Sequence, residues 1–254
     1  MMKLIDLIFP QKIYCISCGS LIDSNNSEYS ICDDCFKNIR WSSIRSCKKC
    51  GKELSEDNGK SICRDCSSAT HNYGKGYSCA LYDEKVADII RGLKYRNNSH
   101  YAHAMSIIMA ERYKAEVNLE TGEIPYHDFV VNVPMTKKKK RIRGFDQAEL
   151  LAREFSRRIG VNHEANMIER KKETLVMSNL GVEDRNQNMI DAFEIKYDMI
   201  MKAKGSKILI IDDVYTTGST VNGCAQALLN VGASEVDFFV FASGSDIRRD
   251  EGFL

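Results

Sequence analysis

Eight of the ten cysteines in this 254-residue chain lie between Cys15 and Cys66, and all eight fall in C-x-x-C pairs: Cys15/Cys18, Cys32/Cys35, Cys47/Cys50 and Cys63/Cys66. Two thiolates at this spacing reach one tetrahedral ion, and a second pair completes a shell of four sulfurs, the pattern of a zinc ribbon. The frame occurs twice, CISCG…CDDC and then CKKCG…CRDC, with Gly19 and Gly51 after the second cysteine of each leading pair. Glycine there lets the chain turn with positive φ and face its N–H groups toward the sulfurs. Two structural Zn2+ ions are expected, and four thiolates per ion leave no open position for catalysis. Sequential pairing is the simplest arrangement; an interleaved cross-brace also satisfies the spacing. Disulfides suit a reducing compartment poorly. A redox C-x-x-C ordinarily occurs once, beside a strand–helix pattern. The metal also has an energetic part. Residues 1–75 hold few large aliphatic clusters, and zinc supplies about 10 kcal/mol or more per site toward folding.

A second constellation lies at residues 208–220, ILIIDDVYTTGST. Four apolar residues read as a buried strand, with Asp212 and Asp213 at its carboxyl end and a hydroxyl-rich loop opening a helix. The hydroxyls of Thr216, Thr217, Ser219 and Thr220, with the loop amides, can surround a phosphate at the helix N-terminus. Gly218 permits close backbone approach. Paired carboxylates repel phosphate but accept hydrogen bonds from vicinal hydroxyls, so the run suits a ribose 5-phosphate. A P-loop ATPase is excluded, because no G-x-x-x-x-G-K-[ST] occurs. The thirteen residues resemble the phosphoribosyl-pyrophosphate (PRPP) motif of type I phosphoribosyltransferases at nearly every position.

A third candidate is VPMTKKKKRIRGFDQAELLA, in which residues 137–141 and Arg143 place six cations within seven positions. A bare charge run is commonly a solvated face or a polyanion patch. Here it follows a strand closed by Pro134, where cations can meet a pyrophosphate.

The elements that must position these residues alternate. Strands are expected over 77–83, 128–134, 207–211 and 236–242, with helices over 84–96, about 101–117, 146–159, 182–192 and 219–231. This is an α/β pattern: a mostly parallel sheet with flanking helices, preceded by a small double zinc ribbon. The division falls at residues 1–75 and 76–254. Sites in such sheets lie beyond the carboxyl ends of the strands. Trp41, the only tryptophan, is placed between the two repeats as a packing aromatic, and Cys79 and Cys224 read as buried small hydrophobes. The five histidines are scattered, with surface or packing roles.

Composition limits the function classes. The chain is 43% apolar and 28% charged, as a folded globular protein requires. No apolar run reaches the roughly 18–20 residues of a membrane span, and MMKLIDLIFPQKIYC, interrupted by Asp6, does not read as a secretory signal. A net charge of +1 confines any nucleic-acid contact to local patches.

Taken together, the duplicated four-cysteine region, VPMTKKKKRIRGFDQAELLA and DDVYTTGST resemble the ComF family of competence proteins, as do LKYR (93–96) and the stretch 174–193 with Arg185 and Asn188. The resemblance implies a double zinc ribbon joined to a type I phosphoribosyltransferase-like domain. It places Arg141, Arg143, Gly144 and Gln147 at a pyrophosphate-side loop and brings Lys94 near the ligand. It makes about 170–188 a hood over the ligand. Two positions depart from the family: Asp146 replaces the usual Asn, and Met177 stands where Gln is common. The first puts a charge beside the pyrophosphate, to weaken it or to help hold Mg2+. The resemblance implies a cytoplasmic protein of DNA uptake that handles incoming single-stranded DNA beside other uptake proteins. Its site would take PRPP with Mg2+, or a nucleotide-like group. The residues themselves support contact with a single strand: residues 137–143 can track a phosphate backbone, and Phe145 and Tyr215 offer faces for base stacking. The alternative is an active phosphoribosyltransferase, with Asp212 and Asp213 on the ribose, residues 216–220 on the 5-phosphate, and Arg141 and Arg143 on the leaving pyrophosphate.

Overall fold

Strands of a parallel sheet are covered on both faces and therefore read as unbroken apolar runs. YSCALYD and VDFFVFA follow this rule, and the strands they form are buried almost throughout. The computed structural model describes residues 13–22, 28–42, 45–54, 59, 61–95, 98–122, 126–171 and 192–246. In chain order these form α1 (Asp33–Asn38), α2 (Arg64–Ser68), β1 (Gly76–Leu81), α3 (Glu84–Tyr95), α4 (Asn98–Thr121) and β2 (Phe129–Asn132). There follow α5 (Lys137–Arg143), α6 (Gln147–Ile159), β3 (Asn162–His163), β4 (Ile168–Arg170), β5 (Phe193–Ile195), α7 (Ile200–Ala203), β6 (Lys207–Tyr215), α8 (Ser219–Asn230) and β7 (Glu235–Ser243).

Five strands make one sheet in the order β1-β7-β6-β2-β3, and every pairing in it is parallel. β4 and β5 form a separate antiparallel pair. Period-two alternation along β6 sends Leu209 and Ile211 to one face, against Tyr113 of α4 and Phe155 of α6. Ile208 and Ile210 go to the other face, against Val221, Cys224 and Leu228 of α8. Burial raises both lone thiols, Cys79 and Cys224, above their ordinary pKa.

The Cys-rich segment is seated on this framework. Ile16, Ile22, Ile31 and Ile39 join the core on the α4 side, while Cys47, Cys50, Cys63 and Tyr73 join the core on the α8 side. Residues 40–42 run along the outer edge of β1: Leu81 N donates to Arg40 O (2.9 Å) and Ser42 N to Cys79 O (2.8 Å). An edge strand that would expose unpaired backbone groups is thereby covered. Trp41 bridges to Ala80 and packs on Phe36 (5.0 Å between centroids), its Nε1 donating to Phe36 O at 3.0 Å.

Three differences from the sequence expectations bear on function. β6 runs four residues beyond Ile211, so Asp212 and Asp213 lie inside the strand and only residues 216–218 form the turn. The basic run is a short helix, begun by Thr136, whose side chain accepts from Lys139 N, and ended by Gly144 at φ 79°. Lysine and arginine are good helix formers, and glycine supplies the left-handed stop. The helix expected over 182–192, with Met177, Arg185, Asn188 and most of the expected hood, lies outside the described residues.

At the opposite end of the sheet is a buried polar chain. Tyr113 OH meets His127 Nδ1 at 2.8 Å, His127 Nε2 meets Asp237 Oδ2 at 3.1 Å, and Asp237 Oδ1 accepts from Lys75 N at 2.6 Å. His127→Ala strands a buried hydroxyl and a buried carboxylate, so the urea midpoint should fall by the equivalent of about 3 kcal/mol. A fall below about 1 kcal/mol would show that this chain contributes no more than an ordinary hydrogen bond.

Candidate ligand site and metal centres

Parallel strands point their carboxyl ends the same way, so the residues after β2 and those ending β6 share one rim. The connection leaving β6 crosses to β7 on one side, and the one leaving β2 crosses to β3 on the other. The crevice between these adjacent strands is a topological switch point, where such sheets bind ligands. A cavity of about 210 Å3 opens there. Asp212, Asp213, Lys94, Arg143, Gln147 and Thr220 line it, with Lys139, Asp146, Arg170 and the segment after β2.

The two aspartates differ. Asp213 is 5% exposed, and its Oδ2 lies 2.6 Å from Lys94 Nζ at the carboxyl end of α3. Asp212 accepts from Asp213 N at 2.8 Å. Burial, and then the adjacent Asp213 charge, hold the Asp212 carboxyl well above the usual carboxylate range. Lys94 opposes this but does not cancel it. Arg143 is fixed by Gln147 Oε1 (2.9 Å) and by the hydroxyl of Tyr95 (3.2 Å), and its guanidinium lies 5.2 Å from the Tyr95 ring centroid.

Below the aspartates, Gly218 turns with φ 79° and, among the described residues, no side chain caps the start of α8. The first-turn N–H groups therefore present donors to an anion, and the hydroxyls of Thr217 and Ser219, hydrogen-bonded to each other at 3.1 Å, leave one O–H between them to join these donors. Thr216 and Thr217 are exposed, and Thr220 reaches the cavity wall.

Asp146 has a structural task. It is 7% exposed; its Oδ1 accepts from Ala148 N and Glu149 N (3.1 and 3.2 Å), and its Oδ2 accepts from Met135 N (3.0 Å). It caps α6 and ties down the segment after β2, work an Asn oxygen shares, and burial raises its pKa. Asp146→Asn should keep the cap and cost about 1 kcal/mol for the lost Met135 contact, and Asp146→Ala about 2–3 kcal/mol. Equal melting of the two variants would refute the capping role.

The expected residues do not all reach the cavity, and the exposed ring expected of Tyr215 is corrected. Arg141 is exposed and lines neither this cavity nor its neighbour. Gly144 ends the basic helix at φ 79°, between Arg143 and Asp146, which both line the cavity. Tyr215 is 1% exposed and stacked on Phe238 (4.8 Å, 9°), so its ring has no face for a base. Arg170 joins the site although no sequence motif marks it. It lines both the cavity and an adjoining one of about 380 Å3, with its guanidinium 5.3 Å from the Phe193 ring.

The cysteines gather sequentially: Cys15, Cys18, Cys32 and Cys35 in one cluster, Cys47, Cys50, Cys63 and Cys66 in the other, with all four Sγ atoms of each within 4.8 Å. Cys18 and Cys32 are 3.7 Å apart, and Cys50 and Cys63 are 3.6 Å apart. Four sulfurs at about 2.3 Å from one ion are separated by about 3.8 Å, so both sets fit Zn2+. Gly19 and Gly51 follow at φ 77° and 73°, and Cys32 N and Cys63 N each donate to the first sulfur of their cluster at 3.3 Å.

Residues 4–67 match the double zinc ribbon domain family, and residues 148–251 match the phosphoribosyl transferase domain family. The parallel sheet with flanking helices is thus a phosphoribosyltransferase-like fold preceded by a zinc-ribbon region. The chain is 26% identical over 230 residues to Competence protein F of Haemophilus influenzae, covering 90% of this chain and 96% of that protein. It is 28% identical over 209 residues to DNA utilization protein YhgH of Escherichia coli K12, with coverage of 82% and 88%. To Competence protein ComFC of Bacillus subtilis it is 24% identical over 251 residues, with coverage of 90% and 94%.

Proposed function

The chain belongs to the ComF family of competence proteins, and on that premise we propose a cytoplasmic protein of DNA uptake that holds PRPP with Mg2+ in the crevice between β2 and β6. The observation that carries this reading is the placing of Asp212 and Asp213, inside a strand, beside a helix start that no described side chain caps, in one cation-lined cavity. In it the aspartates accept from the ribose hydroxyls, and residues 216–220 donate to the 5-phosphate. Arg143 and Lys94 face the pyrophosphate. Bound Mg2+ supplies the remaining charge neutralisation. Calorimetric titration with Mg2+ and PRPP should give saturable heat, and a flat titration overturns the reading.

Single-stranded DNA would track the exposed basic helix α5, with uptake proteins as further partners. Lys140 is held by Glu149 at 2.9 Å, which leaves Lys137, Lys138 and Lys139 for backbone phosphates. Neutralising all four lysines to Gln should lower affinity and reduce the slope of log K against log salt by about 2, at ~0.7 per phosphate contact. An unchanged slope removes α5 from the interface. Among the described residues no helix is long and apolar enough to cross a membrane.

The adjoining 380 Å3 cavity supports a second reading, a phosphoribosyltransferase whose nitrogen acceptor sits beside Arg170. Pyrophosphate release on adding nucleobases would establish it, and its absence across the common bases would refute it.

A further inference from the structure

The two cysteine clusters meet different parts of the α/β domain. The first reaches the helices α3 and α4: Ser17 Oγ donates to Lys85 O (3.3 Å) and Tyr29 OH to Glu111 Oε2 (2.9 Å). The second abuts the turn that follows β6. Tyr73, fully buried just after this ribbon, has its hydroxyl 2.7 Å from that of Tyr215 and 4.0 Å from Sγ of Cys66. Its ring stands edge-on to Tyr215 and Phe238, at 86° and 81°. Tyr215 in turn forms the floor under Gly218, where an added Cβ would clash with its hydroxyl and ring edge. Lys52 Nζ, paired with Asp65 at 2.6 Å, lies 5.5 Å from the Tyr215 ring centroid, and Asn72 N donates to Asn222 Oδ1 in the first turns of α8 at 2.6 Å.

We propose that Tyr73 is a positioning residue through which the second zinc centre, and not the first, holds the 216–220 turn in its anion-binding shape. A zinc-bound thiolate carries no proton, so the hydroxyl chain acquires one direction: Tyr215 donates to Tyr73, and Tyr73 donates to Cys66. That direction fixes the Tyr215 ring and, through contact with Gly218, the backbone of the turn. The inference concerns the turn itself and rests on the ligand reading only for the consequence on binding.

Hydrogen exchange on the full-length, zinc-loaded chain without ligand tests it. Tyr73→Phe keeps the ring and removes one hydroxyl. Amides of 216–222 should exchange roughly tenfold faster, the effect of losing the short Tyr215–Tyr73 hydrogen bond, worth about 1.4 kcal/mol, with those of β2 and α6 unchanged. Cys66→Ser should produce the same local effect and Cys32→Ser, in the first cluster, should not, each variant's zinc content being measured. Unchanged exchange in Tyr73→Phe, or equal acceleration on loss of either zinc, overturns the proposal. PRPP affinity, measured with Mg2+, should fall by about the same tenfold in Tyr73→Phe. Faster local exchange in a chain whose native form gives no heat with PRPP would support the coupling while removing the ligand reading.

Discussion

Asp212→Asn with Asp213→Asn is expected to abolish PRPP binding while leaving a folded protein. Each carboxylate offers charge-assisted acceptors worth about 1.5–3 kcal/mol, and losing both corresponds to at least roughly a hundredfold in Kd at ~1.4 kcal/mol per decade. The single variants separate the roles. Asp213 already holds Lys94 at 2.6 Å, so its loss frees a cation toward the ligand as well as removing an acceptor. Asp212 is the strained member. Burial and its neighbour's charge raise its carboxyl in the folded chain. A carboxyl whose folded pKa exceeds its unfolded value contributes stability below the ordinary carboxylate pKa of about 4 and loses it as pH rises through the raised value. At neutral pH, therefore, Asp212→Asn should stabilise the ligand-free chain, and the gain should vanish in acid. The measurement is the urea midpoint of native and variant protein from about pH 4 to about pH 8. A variant less stable than native at neutral pH would show that Asp212 is kept for the fold and not for a ligand.

The other large effect is loss of zinc. Purified chain should contain two equivalents, one for each cluster. Chelation should unravel the ribbons, because each site contributes about 10 kcal/mol or more toward folding. Loss at the first site reaches the α4 side of the α/β domain, since Ile16, Ile22, Ile31 and Ile39 lie in the core on that face. The only tryptophan is a built-in reporter: Trp41 packs on Phe36 of α1, between the ligands Cys32 and Cys35 and the edge of β1. Its emission should shift red when zinc leaves the first site. A chelated chain with native emission and unchanged melting would show that the cysteines are dispensable for folding.

The features legible in the sequence are those fixed by local spacing. A C-x-x-C pair presents two thiolates whatever surrounds it, and the ILIIDDVYTTGST run carries its strand, acids and turn within one short segment. The parallel α/β pattern is equally local, because apolar runs and helical periodicity need no partner to be read. What escapes depends on contacts far apart in the chain. Lys94 and Asp213 meet only because α3 ends over the rim of β6. Tyr73 and Tyr215, separated by 142 positions, meet only once the second ribbon docks. Tyr215 reads as available for stacking because a turn residue is ordinarily exposed; the longer strand buries it. Asp146 reads as an added charge at a binding loop, and its helix-capping geometry shows a conservative exchange for Asn. The basic run has the right composition and the wrong shape, since helix winding carries Arg141 away from the cavity while Arg143 stays.

The sheet also constrains how the polypeptide can be made. β1, which opens the sheet, pairs with β7, which is synthesised last of its five strands, and the segment 40–42 needs β1 in place to find its seat. On the ribosome the cysteine clusters emerge first and can load metal at once, yet nothing beneath them is finished until β7 has left the exit tunnel. The nascent chain thus carries exposed apolar side chains through most of translation, so its yield in the cell should depend on chaperone capacity.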